Sequence, residues 1–185
     1  MIFERILAVM RRLNTGIALA VGVLLTLTVA FIIVDITMRQ VSRSLGGSDE
    51  VSGYVMAIVA SWGLSYALLE LAHVRIDLLR MRLQSSGRFL LDVLSMFSVA
   101  AIACVVAFYA WPVLAKSIQQ GSRANTPLET PLWIPQVLWF SGWVWFALTA
   151  TVMLICAIGM LAQRQTAQFE KSFGVVADQA AEPAE

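Results

Sequence analysis

The one histidine of this chain lies in a group of ionisable side chains within residues 68–83. Glu70 precedes His73 by three positions and Asp77 follows it by four, so on a helix the three side chains would share one face. An acidic residue three positions before a histidine is also the spacing with which helical bundles present metal ligands. The pattern therefore raises the possibility of a metal site.

The rest of the sequence supplies too few ligands for such a site. A di-iron bundle needs two Glu-x-x-His pairs and two further glutamates, and zinc takes four ligands drawn mainly from cysteine and histidine. We therefore expect no metal, no cofactor and no catalytic residue in this chain. The four residues of the group are interpreted as a structural polar cluster at a membrane boundary: Glu70, His73, Arg75 and Asp77.

The composition is that of a membrane protein. Apolar residues make up 59% of the 185 and charged residues only 14%, whereas soluble domains are nearer half apolar and a quarter charged. Four long runs carry no charge, and each reaches the roughly 18–20 residues needed to cross a bilayer core. The sequence predicts an all-α integral membrane protein whose four transmembrane helices lie at about 15–38, 50–71, 89–115 and 134–162.

The segments outside this transmembrane domain (residues 14–163) are short. Residues 1–13 place their apolar side chains on one helical face, which is typical of an amphipathic helix at the membrane surface. Residues 164–185 are polar, and we expect them to be a disordered tail. Nine of the chain's 13 lysines and arginines lie in the two terminal segments and the second loop. The positive-inside rule therefore predicts that both termini are cytoplasmic.

Two further patterns on the spans indicate where the chain contacts another helix and where it contacts the lipid headgroups. Small residues recur at every fourth position of span two, which allows another helix to approach closely. They could form a packing seam within this chain or an interface with a second membrane subunit, and they are Gly53, Ala57, Ser61 and Ser65. Tryptophans near the outer ends of spans three and four are predicted to anchor the chain at the headgroup level. They are Trp111, Trp133, Trp139 and Trp143.

The central thirds of the predicted spans contain no acidic or basic residue. Ion-coupled transporters place such groups, or broken helices, near the middle of the bilayer. Asp35 lies at a span end, where Arg39 four positions later can neutralise it. The sequence therefore predicts a chain that offers no substrate pathway by itself.

The order of motifs resembles a known transporter family. Arg39 comes late in span one and is followed by GGSDEVSGYVM, by WGLSYALLELAHVRIDLL at 62–79, and by GSRANTPLETPLWIPQ before a last long helix. In this order the sequence resembles the small membrane subunit, DctQ-type and SiaQ-like, of tripartite ATP-independent periplasmic (TRAP) transporters. The resemblance covers about residues 14–162.

The resemblance implies a non-catalytic subunit of the bacterial inner membrane, surrounded by lipid. It would scaffold and anchor a large permease subunit (DctM/SiaM-like), which carries the sodium and substrate sites. A periplasmic substrate-binding protein (DctP/SiaP-like) would deliver an organic acid such as sialic acid or a C4-dicarboxylate. The docking face for that protein is hypothesised to include Arg43, Asp49, Glu50, Arg123 and Glu129.

Two other functions are open at this point. The chain could be a self-sufficient ion-coupled transporter that works as a homodimer around Asp35, or it could be the membrane anchor of a redox complex. The lone histidine argues against the second, because a haem-bearing subunit usually supplies two axial histidines. The net charge of +1 gives no indication of a nucleic-acid partner.

Overall fold

The computed structural model describes residues 2–41, 43, 46–70, 85–126 and 128–173. Within these residues the chain forms four long helices and a short fifth one: α1 (Ile2–Gln40), α2 (Ser48–Leu69), α3 (Ser85–Gln120), α4 (Trp133–Ala162) and α5 (Thr166–Phe173). The first four are long and apolar enough to cross a membrane. They confirm the predicted all-α fold and its four spans.

The helices pack in the order α1, α2, α4, α3, and α5 folds back onto α4. Of the four spans, α4 is the most enclosed by the rest of the chain and α1 the least. Large apolar side chains such as Leu19, Val23 and Leu27 point outward from α1. In a bilayer these side chains can face the lipid at little cost in free energy. Lipid tails are as apolar as the side chains, so burying them against other helices would stabilise the protein only slightly.

The inward side of α1 follows a seven-residue repeat. Leu7, Asn14, Thr28 and Asp35 are its buried residues, and they are separated by seven or fourteen positions. A repeat of 3.5 residues per turn is the period at which helices wrap around each other in left-handed coils. α1 therefore touches its neighbours along one narrow seam and leaves the rest of its surface uncovered.

The first 13 residues do not form a separate helix, because α1 runs without a break from Ile2 to Gln40. Phe3 and Leu7 lie on the same inward seam as Asn14 and pack into the core. The ring of Phe3 lies against Gly159, where an added Cβ would come within 2.8 Å of the Phe3 Cε1 atom. The start of α1 therefore lies beside the end of α4.

The prediction of a disordered tail from residue 164 is wrong for residues 166–173, which form α5. Phe169 and Phe173 share one face of this helix and are fully buried. Phe169 also packs edge-on against Phe89 of α3, with ring centroids 5.4 Å apart. Burial of these two rings outweighs the polar composition of the segment. Residues 174–185 lie outside the described part of the chain.

Candidate functional site

Two clusters of buried polar side chains lie at the loop end of the protein, defined here as the loops at 41–47 and 121–132. The first cluster joins α1 to α2. The carboxylate of Asp35 is fully buried, and its Oδ2 atom accepts hydrogen bonds from Arg39 Nε at 2.9 Å and from Ser48 Oγ at 2.8 Å. Arg39 Nη2 in turn lies 3.0 Å from Ser48 Oγ. The predicted pairing of Asp35 with Arg39 is therefore present.

The use of Ser48 in this cluster explains how α2 begins. Its hydroxyl bonds the Asp35 carboxylate and does not cap its own helix. The helix instead starts after Gly47, whose φ of 76° is a left-handed conformation that favours glycine. The first turn of α2 is thus fixed to the last turns of α1.

The second cluster joins α2 to the loop before α4. Glu50 is 9% exposed, and its Oε1 atom accepts a hydrogen bond from the Tyr54 hydroxyl at 2.7 Å. Its Oε2 atom accepts a hydrogen bond from the hydroxyl of Thr126, which is 76 positions later in the chain. Thr130 adds hydrogen bonds from its side chain and its backbone.

The loop that Glu50 holds is itself ordered as a hairpin, residues 122–132. The Leu132 amide donates to the Ser122 carbonyl at 3.0 Å, and the Ala124 amide donates to the Thr130 carbonyl at 3.0 Å. At its tip the side chain of Leu128 covers Gly47, where an added Cβ would lie 2.6 Å from Leu128 Cγ. The two loops of the loop end therefore pack into one unit.

The residues hypothesised as a docking face separate into two groups. Arg43, Asp49, Arg123 and Glu129 are exposed around this unit. Glu50 is turned inward and bonded, so it is not part of the exposed surface. Tyr54 and Thr126 are the partners that the sequence analysis did not identify. Tyr54 lies four positions after Glu50 on the same helix, whereas Thr126 is brought to Glu50 by loop folding.

The small-residue stripe of α2 winds around the helix and does not stay on one face. Each step of four residues turns about 40° beyond a full circle, so the stripe rotates about 120° over its length. Gly53 is accordingly exposed, Ala57 is half-buried, and Ser61 and Ser65 are fully buried. Ser61 packs against Gly142 of α4. Packing within the chain, one of the two alternatives, thus accounts for Ser61 and Ser65.

The four tryptophans occupy different environments. Trp111 and Trp133 are exposed, and Trp139 is half-buried. Trp143 lies ten residues after Trp133 in the same helix, which corresponds to about 15 Å along its axis. Its ring packs against Phe146 with centroids 6.1 Å apart, beside the core. Its position therefore fits a packing role better than the predicted role of an interfacial anchor.

A polar contact deep among the helices was not predicted. Asn14 is fully buried in α1, and its Oδ1 atom accepts a hydrogen bond from Trp145 Nε1 at 3.1 Å. Trp145 also stacks on Trp62 of α2, whose own Nε1 atom donates to the Leu138 carbonyl at 2.9 Å. These contacts link α1, α2 and α4 through neutral groups. The contact could not be predicted from the sequence, because Asn14 and Trp145 are 131 positions apart.

Of the polar cluster at the other end, Glu70 is described, and it is exposed at the end of α2. His73, Arg75 and Asp77 lie outside the described residues. In the part of the chain that the structure describes, no three His, Cys, Asp or Glu side chains are close enough together to hold a metal ion.

Comparison with known protein families gives a match over most of these helices. The family described as "Tripartite ATP-independent periplasmic transporters, DctQ component" matches residues 28–160. The chain belongs to this family. As a DctQ component it is a small membrane subunit of a TRAP transporter and a multi-pass protein of the bacterial inner membrane. No curated protein and no solved structure matches the chain.

Proposed function

We propose that this DctQ chain is a non-catalytic scaffold that anchors a large permease subunit of the DctM/SiaM type. The complex would take up an organic acid, such as sialic acid or a C4-dicarboxylate, with sodium coupling in the large subunit. A DctP/SiaP-like binding protein would deliver the solute. The match to the DctQ component over residues 28–160 is the observation that carries this proposal.

The distribution of charge in the spans supports a scaffold over a self-sufficient transporter. The buried carboxylates of Asp35, Glu50 and Asp92 lie near helix ends. The fully buried polar side chains further along the spans are neutral, namely Asn14, Ser61, Ser65 and Thr149. An ion crossing the bilayer centre needs a counter-charge or exposed backbone there, and we therefore place the ion site in the partner.

The uncovered faces of α1 and α2 are the surfaces that we assign to the large permease. On α2 this face carries Gly53, Met56 and Ala60, which are exposed and recur at three- and four-residue spacing. On α1 an open groove runs along Ala18 and Gly22. Small residues allow close helix approach, which drives association in lipid where hydrophobic burial contributes little.

We assign the loop end to the periplasm and both termini to the cytoplasm, as the positive-inside rule predicts. The beginning of α1 lies beside the end of α4, which agrees with an even number of crossings. In this orientation Arg43, Asp49, Arg123 and Glu129 surround the surface that would meet the binding protein.

The proposal is tested by co-expressing this chain with the large permease of its own transporter and purifying through a tag on the small subunit. We expect an equimolar complex, and uptake of labelled sialic acid or succinate by liposomes only when both subunits and the binding protein are present. Uptake by the small subunit alone would instead support the homodimeric transporter. A haem absorption band in the purified chain would support the redox anchor.

A further inference from the structure

We propose that Glu50 is a positioning residue whose buried carboxylate holds hairpin 122–132 in the conformation that receives the soluble binding protein. The identity of that partner rests on the function proposed above. The role of Glu50 itself rests on contacts within this chain. Glu50 would therefore act through the hairpin and would not touch the partner.

Both oxygens of the carboxylate are engaged, and they hold different elements. Oε1 accepts from Tyr54, one turn along the same helix, which fixes the direction of the Glu50 side chain. Oε2 accepts from Thr126 in the hairpin. Thr130 on the returning strand of the hairpin adds further hydrogen bonds. The carboxylate therefore contacts the turn and the returning strand of the hairpin at once.

The partners of this carboxylate are hydroxyl and backbone groups, and within the described residues no arginine or lysine forms an ion pair with it. A buried anion without such donors is costly. Its position in the first turn of α2 is favourable for a negative charge but does not satisfy both oxygens. Opening of the hairpin would remove the donors from Thr126 and Thr130, so the charge of Glu50 favours the closed hairpin.

A second contact makes the two outer loops one unit. Leu128 at the tip of the hairpin covers Gly47 in the first loop. Around this unit Arg43 and Arg123 are exposed together with Asp49 and Glu129. Charges of both signs suit a folded protein with a complementary surface, whereas anionic lipid headgroups would favour cations alone. We therefore assign this surface to a protein partner.

The test uses the complex of both membrane subunits in nanodiscs and the purified soluble binding protein of the same transporter. Thr126→Val removes one donor to Glu50 and keeps the shape of the side chain. We expect the dissociation constant of the binding protein to rise about five- to tenfold, because fewer hairpins are in the competent conformation. The yield of the complex should not change.

Three companion variants separate positioning from a general loss of structure. Thr126→Ser keeps the hydroxyl and should keep the affinity, and Glu50→Gln should weaken binding as Thr126→Val does. Thr37→Val is the matched control, because among the described residues the Thr37 hydroxyl bonds only the Ile33 carbonyl of its own helix. Hydrogen exchange at the amides of Ala124 and Leu132 should become faster in the two weakened variants alone.

Unchanged affinity of Thr126→Val would overturn the proposal, even if its hairpin amides exchange faster. Equal weakening by Thr37→Val would overturn it as well. If the unmodified complex assembles but does not bind the soluble protein, the assignment of the partner fails and this proposal fails with it. If the two membrane subunits do not assemble at all, the scaffold function fails.

Discussion

Gly142 of α4 lies directly against Ser61 of α2. A Cβ atom added at Gly142 would come within 2.8 Å of both Ser61 Cβ and Trp62 Cδ1, closer than real side chains approach. The two helices are therefore as near to each other at this point as a glycine allows. Such close approach lets backbones pack tightly in lipid, where association depends on packing.

Substitution of Gly142 should consequently destabilise the isolated chain. We expect Gly142→Ala to lower the free energy of unfolding by about 1–3 kcal/mol, the usual cost of overpacking. Thermal denaturation in detergent micelles measures this change. Gly63→Ala is the matched control, because in the described part of the chain a Cβ at Gly63 would meet no atom of another helix within 4 Å. Equal losses in both variants would contradict the close packing of α2 on α4.

The Asp35 cluster predicts that Arg39→Gln alone destabilises the chain more than Arg39→Gln combined with Asp35→Asn. Arg39→Gln removes the arginine that is paired with the fully buried Asp35 carboxylate and should cost about 1–3 kcal/mol. Adding Asp35→Asn removes the buried charge that Arg39 had balanced and should restore part of that loss. The Arg39 side chain is 47% exposed, so water will limit the effect. Chemical unfolding of both variants measures their free energies of unfolding. A double variant that is less stable than Arg39→Gln would contradict this prediction.

The terminal helix α5 depends on two buried rings. Phe169→Ala should remove most of the contact with Phe89 and release α5 from α4, because an eight-residue helix is not stable alone. Limited proteolysis near residue 165 should become faster, while the spans stay folded. Ile155→Ala removes an apolar side chain that is 58% exposed and should leave cleavage unchanged. Cleavage of Phe169→Ala at the original rate would show that other contacts hold the helix.

The outward face of α2 can be tested for contact with the large permease. Gly53→Leu adds a bulky side chain where this chain leaves open space, so the isolated subunit should keep its stability. We expect recovery of the large permease with the tagged subunit to fall at least about fivefold, since a leucine prevents close helix approach. Ser98→Leu on the exposed face of α3 serves as the control. Full recovery of the permease with Gly53→Leu would exclude this face.

The spans could be predicted from the sequence because charge-free runs of sufficient length have few other interpretations. The inward-packing face of each helix could not be predicted from these charge-free runs. In α1 the inward and outward side chains are both apolar, so only the spacing of Asn14, Thr28 and Asp35 distinguishes them. The rotation of the α2 stripe, by contrast, follows from helix geometry alone and could have been derived.

The polar contacts were harder to predict because they depend on tertiary folding. The pairing of Asp35 with Arg39 is local and was expected from its four-residue spacing. The contact of Glu50 with Thr126 joins residues 76 positions apart and gives no local pattern. The burial of Phe169 could not be predicted either, because it depends on the position of Phe89 in another helix.

The contact of Phe3 with Gly159 has a consequence for biosynthesis. The ribosome makes Phe3 well before its binding surface on α4, which is among the last parts of the helical domain to be translated. Until then the first turns of α1 cannot make this contact with α4. The contact between the first and fourth helices therefore forms after the packing of α1 on α2 has become possible.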